Sequence, residues 1–249
     1  MKPELRIADS KAALMDQAAD LLVAAAGQSI AERGRWLWAL AGGSTPKGAY
    51  ELLAQAPRRD QIDWSKVWVF WGDERCVPPS DPDSNYGMAR AALLRHVPIP
   101  EAQVCRMRGE LAPESAAHLY VRDLRAIFSL EERQWPVFDT MLLGLGADGH
   151  TASLFPGSDV LERRETIAAE TWVAKLGAFR LTLTAETINR ARQVVFLVAG
   201  EDKASVVRAI AAGKPGEAAA YPAARIKPAA PAVWLLDQAA ASQLPGASS

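Results

Sequence analysis

Residues 138–151 read FDTMLLGLGADGHT. The first six form a short, mostly apolar run of strand length, and the glycines after them open a turn at the strand's carboxyl end. Formally the turn, Gly144 to Gly149, matches G-x-G-x-x-G, the dinucleotide-binding fingerprint. Two features exclude that reading. Asp148 would put a carboxylate inside a loop meant for pyrophosphate. Phe155-Pro156-Gly157 stops any helix within about two turns, too soon for a crossover to a parallel strand. What remains is His150 two residues from Asp148 in a glycine-rich turn. An imidazole that titrates near neutrality suits general-base work, and a carboxylate beside it can fix its tautomer.

Runs of the same kind flank this stretch: RWLWALA (35–41), KVWVFW (66–71), QVVFLVA (193–199) and a late VWLL (233–236). Between them lie helix-like segments at 11–33, with Ser10 as the expected cap, and at 46–56, 84–96, 113–130 and 201–212. Strand and helix alternate, which predicts an α/β fold with a mostly parallel sheet covered by helices on both faces. No internal repeat or long linker divides the chain, so a single domain over residues 1–249 is expected, with 244–249 as a frayed tail.

In such sheets ligands bind beyond the carboxyl ends of strands. The run at 35–41 ends in Gly42-Gly43-Ser44-Thr45-Pro46-Lys47-Gly48, where exposed amides opening a helix would favour an anion. The alternative is a tight turn capped by Ser44 or Thr45. The Walker spacing fits from Gly43 to Gly48, but Ala49-Tyr50 replace its Lys-Ser/Thr. The run at 66–71 ends in Gly72-Asp73-Glu74-Arg75; Asp73 and Arg75 there suit hydroxyls and an anionic group, or a surface ion pair of small energetic value. Arg180 opens the alternating RLTLT (180–184), and Lys203 follows the strand at 193–199. Either is a solvated cation or, beside an anion cradle, a partner for phosphate.

With 249 residues, 49% of them hydrophobic and 23% charged, the chain can build a core without staples. A net charge of -1 supplies no field for drawing in nucleic acid or an anionic membrane. Cys76 and Cys105 form no Cys-x-x-Cys pair and are expected as thiols. The N-terminus carries charges where a signal peptide needs apolar residues, and no apolar run reaches the ~20 residues of a membrane span, so a cytoplasmic protein is expected. His96 and His118 lie in helix-like segments with no catalytic neighbour, and His150 with scattered carboxylates does not make zinc-ligand spacing. No metal is expected.

Taken together, AGGSTPKGAYELLA (41–54), FWGDERCVPPSDPDSNYGMARAALL (70–94), LLGLGADGHTASLFPGS (142–158), RLTLT (180–184) and YPAARIKP (221–228) resemble the 6-phosphogluconolactonase family in order along nearly the whole chain. The resemblance implies a sugar-phosphate isomerase-like variant of a Rossmann-like α/β fold. It also implies hydrolysis of 6-phospho-D-glucono-1,5-lactone, the second step of the oxidative pentose phosphate pathway, with no cofactor and with a small sugar phosphate as partner to a monomer or small homo-oligomer. It assigns His150, Asp148 and Arg75 to catalysis and Gly43, Ser44, Thr45, Asp73, Arg180 and Lys203 to substrate binding. Glucosamine-6-phosphate deaminase is similar in fold, but follows its His with a segment ending in Asn-Glu-Pro, whose Glu helps open the sugar ring. Here Thr151-Ala152-Ser153-Leu154-Phe155-Pro156 supplies no acid. A sugar-phosphate-sensing regulatory domain is a further alternative, weakened by the lack of a DNA-binding segment.

Overall fold

A computed structural model of the chain describes residues 3–211 and 216–245. In chain order it forms β1 (Glu4–Ala8), α1 (Lys11–Arg33), β2 (Trp36–Leu40), α2 (Ser44–Leu53), β3 (Val67–Trp71), β4 (Asp73–Arg75), α3 (Asn85–Ala92), α4 (Pro113–Ile127), β5 (Thr140–Leu143), β6 (Ala168–Val173), β7 (Ala178–Leu183), α5 (Ala185–Ile188), β8 (Gln193–Val198), α6 (Ala204–Ala211), β9 (Val233–Asp237) and α7 (Gln238–Ala241). Six strands make one sheet in the order β1-β9-β8-β5-β2-β3, and every pairing in it is parallel.

The apolar runs form continuous hydrophobic strands because both faces of this sheet are covered. Alternate residues feed two cores. Trp36, Trp38 and Leu40 of β2 pack with Leu14 and Leu22 of α1 and Tyr50 of α2 on one face. Leu37 and Ala39 pack with Tyr120 and Leu124 of α4, Val206 of α6 and Ala240 of α7 on the other. Helix α1 begins and ends where the sequence places it, with Ser10 Oγ accepting from Ala13 N at 3.1 Å and Gly34 closing the helix at φ 73°. The segment 84–96 is helical only to Ala92, with a separate 3-10 turn over Leu94–His96. The segment 201–212 splits into a 3-10 turn at Glu201–Lys203 and α6, and Ala212 lies outside the described residues, as do residues 246–249 of the expected frayed tail.

The mostly parallel sheet expected from the sequence is this one, and it is not alone. A second sheet, antiparallel in the order β4-β7-β6, stands beside the first. Its strand β4 is three residues long and mostly charged, and β6 mixes small and polar residues, so neither shows an apolar run. Strand β1 escaped the sequence reading for a related reason: it lies at the sheet edge, and four of its five residues are exposed.

The small sheet matters because of where it stands. From β2 the chain moves outward to β3, whereas β5, β8 and β9 proceed in the opposite direction. The order therefore reverses between β2 and β5, the place where open α/β sheets leave a crevice beyond the strand ends. Strand β4 leaves β3 after Gly72 and walls that crevice. Among the described residues no helix is long and apolar enough to cross a membrane.

Candidate active site

The crevice holds a cavity of about 490 Å³, lined by the loop after β2, the glycine turn after β5, the small sheet and the residues after β8. All nine residues singled out in the sequence lie in it or against it: His150, Arg75, Gly43, Ser44, Thr45, Asp73, Arg180 and Lys203 line it, and Asp148 holds His150 from behind.

At the glycine turn, His150 Nδ1 lies 2.5 Å from Asp148 Oδ1, and His150 N also donates to that oxygen, at 3.2 Å. The close approach depends on Gly146, because a Cβ there would fall 2.0 Å from His150 Nδ1 and 2.7 Å from Asp148 Oδ1. Gly149 turns the chain at φ 76°, a conformation L side chains rarely adopt. The turn does not run into a helix, which agrees with rejecting the dinucleotide reading. The imidazole stacks on Phe155 with centroids 4.2 Å apart. With Nδ1 committed to Asp148, Nε2 is the ring nitrogen left for chemistry, and among the described residues nothing bonds it. Asp148 Oδ2 is held by the Lys175 ammonium. Burial works against the Asp148 charge, but the hydrogen bonds from Lys175 and His150 outweigh it and hold the carboxyl well below the usual carboxylate range.

After β2, Gly43 at φ 101° turns the chain into α2, and no side chain caps the helix. The alternative of a turn capped by Ser44 or Thr45 therefore falls, and the first-turn amides stay open to a ligand. Ser44 Oγ accepts instead from Lys11 Nζ at 3.3 Å, which brings a cation from the start of α1 to the cradle.

On the small sheet, Asp73 faces Thr182 and Arg75 faces Arg180 across the β4–β7 ladder. Because strand side chains alternate, Asp73, Arg75, Thr182 and Arg180 share one face and Glu74 points to the other. Burial, and then the charge of Arg75, lower the Arg180 pKa. Two neighbouring guanidinium groups facing a cavity call for an anion. Among the described residues the Arg75 guanidinium donates one bond, to Asp83 O at 2.6 Å, which leaves further donors of its fork. Asp73 is already engaged: Ser153 Oγ donates to Oδ2 at 2.7 Å and Asn85 Nδ2 to Oδ1 at 3.3 Å. The buried Glu74 accepts from the amides of Arg75, Asn85 and Tyr86 at 2.7 to 2.8 Å, and so ties the start of α3 to β4.

After β8, Lys203 lines the cavity with its Nζ 2.5 Å from Asp202 Oδ2. Five lining residues are cations, Lys11, Arg75, Lys175, Arg180 and Lys203, against two carboxylates, Asp73 and Asp202. The thiols do not line the cavity, and burial pushes Cys76 up to about 11 and Cys105 up to about 12. His96 and His118 are exposed and lie outside the cavity. Among the described residues no group of three or more His, Cys, Asp or Glu is placed to hold a metal ion.

The sequence reading did not single out Lys11, Asn85, Ser153 or Lys175 for the site. Only Ser153, within the turn motif, and Asn85, opening a helix just after Asp73-Glu74-Arg75, carried a local signal.

A family model described as glucosamine-6-phosphate isomerases/6-phosphogluconolactonase matches residues 9–235. The chain belongs to this family. A 6-phosphogluconolactonase of Synechocystis sp. is 44% identical over 245 residues, covering 98% of this chain and 99% of that one. The solved 6-phosphogluconolactonase of Trypanosoma brucei superposes with a TM-score of 0.87 at 31% identity, covering 98% of this chain and 99% of that one. A monomeric glucosamine-6-phosphate deaminase superposes with a TM-score of 0.77 at 20% identity, over 96% of this chain and 99% of that one, a likeness of fold alone.

Proposed function

We propose that this family member is a 6-phosphogluconolactonase, hydrolysing 6-phospho-D-glucono-1,5-lactone to 6-phosphogluconate in the oxidative pentose phosphate pathway. One observation carries the reading: His150, oriented by Asp148 through Nδ1, presents a free Nε2 to a cavity rich in cations, and no acid follows it in the chain before Pro156. A lactonase needs a base and an anion handle, whereas a deaminase also needs an acid to open an aldose ring.

The phosphate docks on the open amides around Gly43, Ser44 and Thr45, with Arg180 and Lys203 completing its charge. That anchor sets C1 of the lactone near His150. Nε2 takes a proton from water as the water oxygen attacks C1, and the carbonyl oxygen becomes an oxyanion. Arg75 is the donor for that oxyanion, since two amides of the glycine turn are already committed, Gly146 N to His150 O and Gly149 N to Gly146 O. As the C1–O5 bond breaks, the imidazolium returns its proton to O5. Asp73, fixed by Ser153 and Asn85, keeps lone pairs for a sugar hydroxyl. No cofactor enters these steps, and every group named comes from one chain, so a monomer or small homo-oligomer serves equally. The free thiols fit a reducing, cytoplasmic setting.

The test is opening of 6-phosphogluconolactone by purified protein, measured above the spontaneous rate, beside ammonia release from glucosamine 6-phosphate. Accelerated lactone opening without ammonia is expected, and ammonia release without lactonase activity would reverse the choice.

A further inference from the structure

Lys175 sits at the tip of the β6–β7 hairpin, in the turn Ala174–Leu176 that ends at Gly177 with φ 58°. Its ammonium reaches across 27 positions of sequence to Asp148 Oδ2. It also lies 4.9 Å from the centroid of the Phe155 ring, whose face is stacked on His150. Asp148 is thus gripped on both oxygens, by the imidazole on Oδ1 and by Lys175 on Oδ2.

We propose that Lys175 is a positioning residue for the reaction: it clamps the Asp148 carboxylate from the hairpin side and sets how strongly His150 holds its proton. The proposal rests on the reading of His150 as the base. An unpaired carboxylate beside an imidazole stabilises the imidazolium and makes the ring slow to give its proton to O5; a second cation on that carboxylate spends part of its field elsewhere. The ammonium also repels the imidazolium directly. Both effects have the same sign, so removing Lys175 should strengthen the hold of His150 on its proton, while Asp148 keeps the ring oriented. The depressed Asp148 carboxyl agrees, since a carboxylate that accepts from an ammonium on one oxygen and from His150 on the other is hard to protonate. The other charged groups lining the same cavity are Lys11 from α1, Asp73 and Arg75 from β4, Arg180 from β7, and Asp202 and Lys203 after β8. They stay unchanged in a Lys175 variant, so a shift on substitution reports the clamp.

Because Lys175 is half exposed, its replacement leaves the core intact. The experiment is an NMR titration of the three histidine rings in wild type, Lys175→Met and Lys175→Arg, with His96 and His118 as exposed controls, beside pH profiles of kcat/KM on the phosphorylated lactone. In Lys175→Met the His150 midpoint should rise by roughly half a unit to one unit, and the acid limb of kcat/KM should move up with it. Lys175→Arg should restore most of the wild-type behaviour, and the two control rings should not move. An unmoved His150 midpoint in Lys175→Met overturns the proposal, and the more so if KM rises for the phosphorylated lactone alone, which would place Lys175 on the substrate. If the ring shifts but the acid limb stays, the clamp stands and the assignment of His150 as base fails.

Discussion

At the glycine turn both Asp148 oxygens are taken, the imidazole lies against Phe155, and Gly146 leaves room for no side chain of its own. Across the cavity the first-turn amides of α2 carry no cap, and Arg180, facing Arg75 across the β4–β7 ladder, forms no ion pair among the described residues and donates to the Phe179 carbonyl. The first region is satisfied and closed except at one ring nitrogen. The second is unsatisfied until an anion arrives. Chemistry needs one group held in one orientation, whereas binding a dianion needs a surplus of donors, whose electrostatic cost falls when the ligand enters. On the proposed reading the cavity divides its work, with rate set around His150 and Arg75 and affinity at the phosphate cradle with Arg180 and Lys203.

The sharpest challenge to that division is at His150. Replacing it with Gln should lower kcat by a factor on the order of 10² to 10⁴ and leave product affinity little changed. Near-normal turnover in the folded variant would remove the imidazole from the reaction. Gly146→Ala attacks the same end without touching a reacting group. The new methyl must displace the His150 ring, and kcat should fall on the order of 10- to 100-fold with KM for the phosphorylated lactone nearly constant. If KM rises instead while kcat holds, the turn serves binding.

The anion end should answer differently. Arg180→Ala removes a charge-assisted contact, so KM for 6-phosphogluconolactone should rise by roughly 10- to 100-fold, with a smaller fall in kcat where anchoring also positions C1. The smallest effect expected is none: activity should survive exhaustive chelation, because the described residues offer no ligand set. Loss with EDTA and recovery with zinc would replace the free imidazole by a metal-bound hydroxide.

Five strands of the large sheet were readable in the sequence because they are buried on both faces and therefore run apolar, as WLWAL and QVVFLV do, whereas the exposed edge strand β1 was not. The small sheet was not, because its cavity face is charged: β4 reads Asp-Glu-Arg, with two residues lining the cavity and one buried carboxylate that accepts from the first amides of α3. The glycine turns were readable because local backbone demands leave a local trace. Lys175 and Lys11 were not, since each comes from a segment of unremarkable local pattern and reaches the site only through the fold, Lys11 lying 33 positions from Ser44. A cation whose partner is distant in sequence looks like any solvated surface lysine.

The division of labour is tested most directly by the selectivity between 6-phosphogluconolactone and unphosphorylated gluconolactone, taken as the ratio of their kcat/KM values in wild type, His150→Gln and Arg180→Ala. His150→Gln should lower both values by the same factor and leave the ratio standing. Arg180→Ala should collapse the ratio by roughly 10- to 100-fold, with the unphosphorylated lactone scarcely affected. An equal proportional loss on the two lactones in Arg180→Ala would contradict the account, because Arg180 would then serve the fold or the reacting carbonyl and not the phosphate.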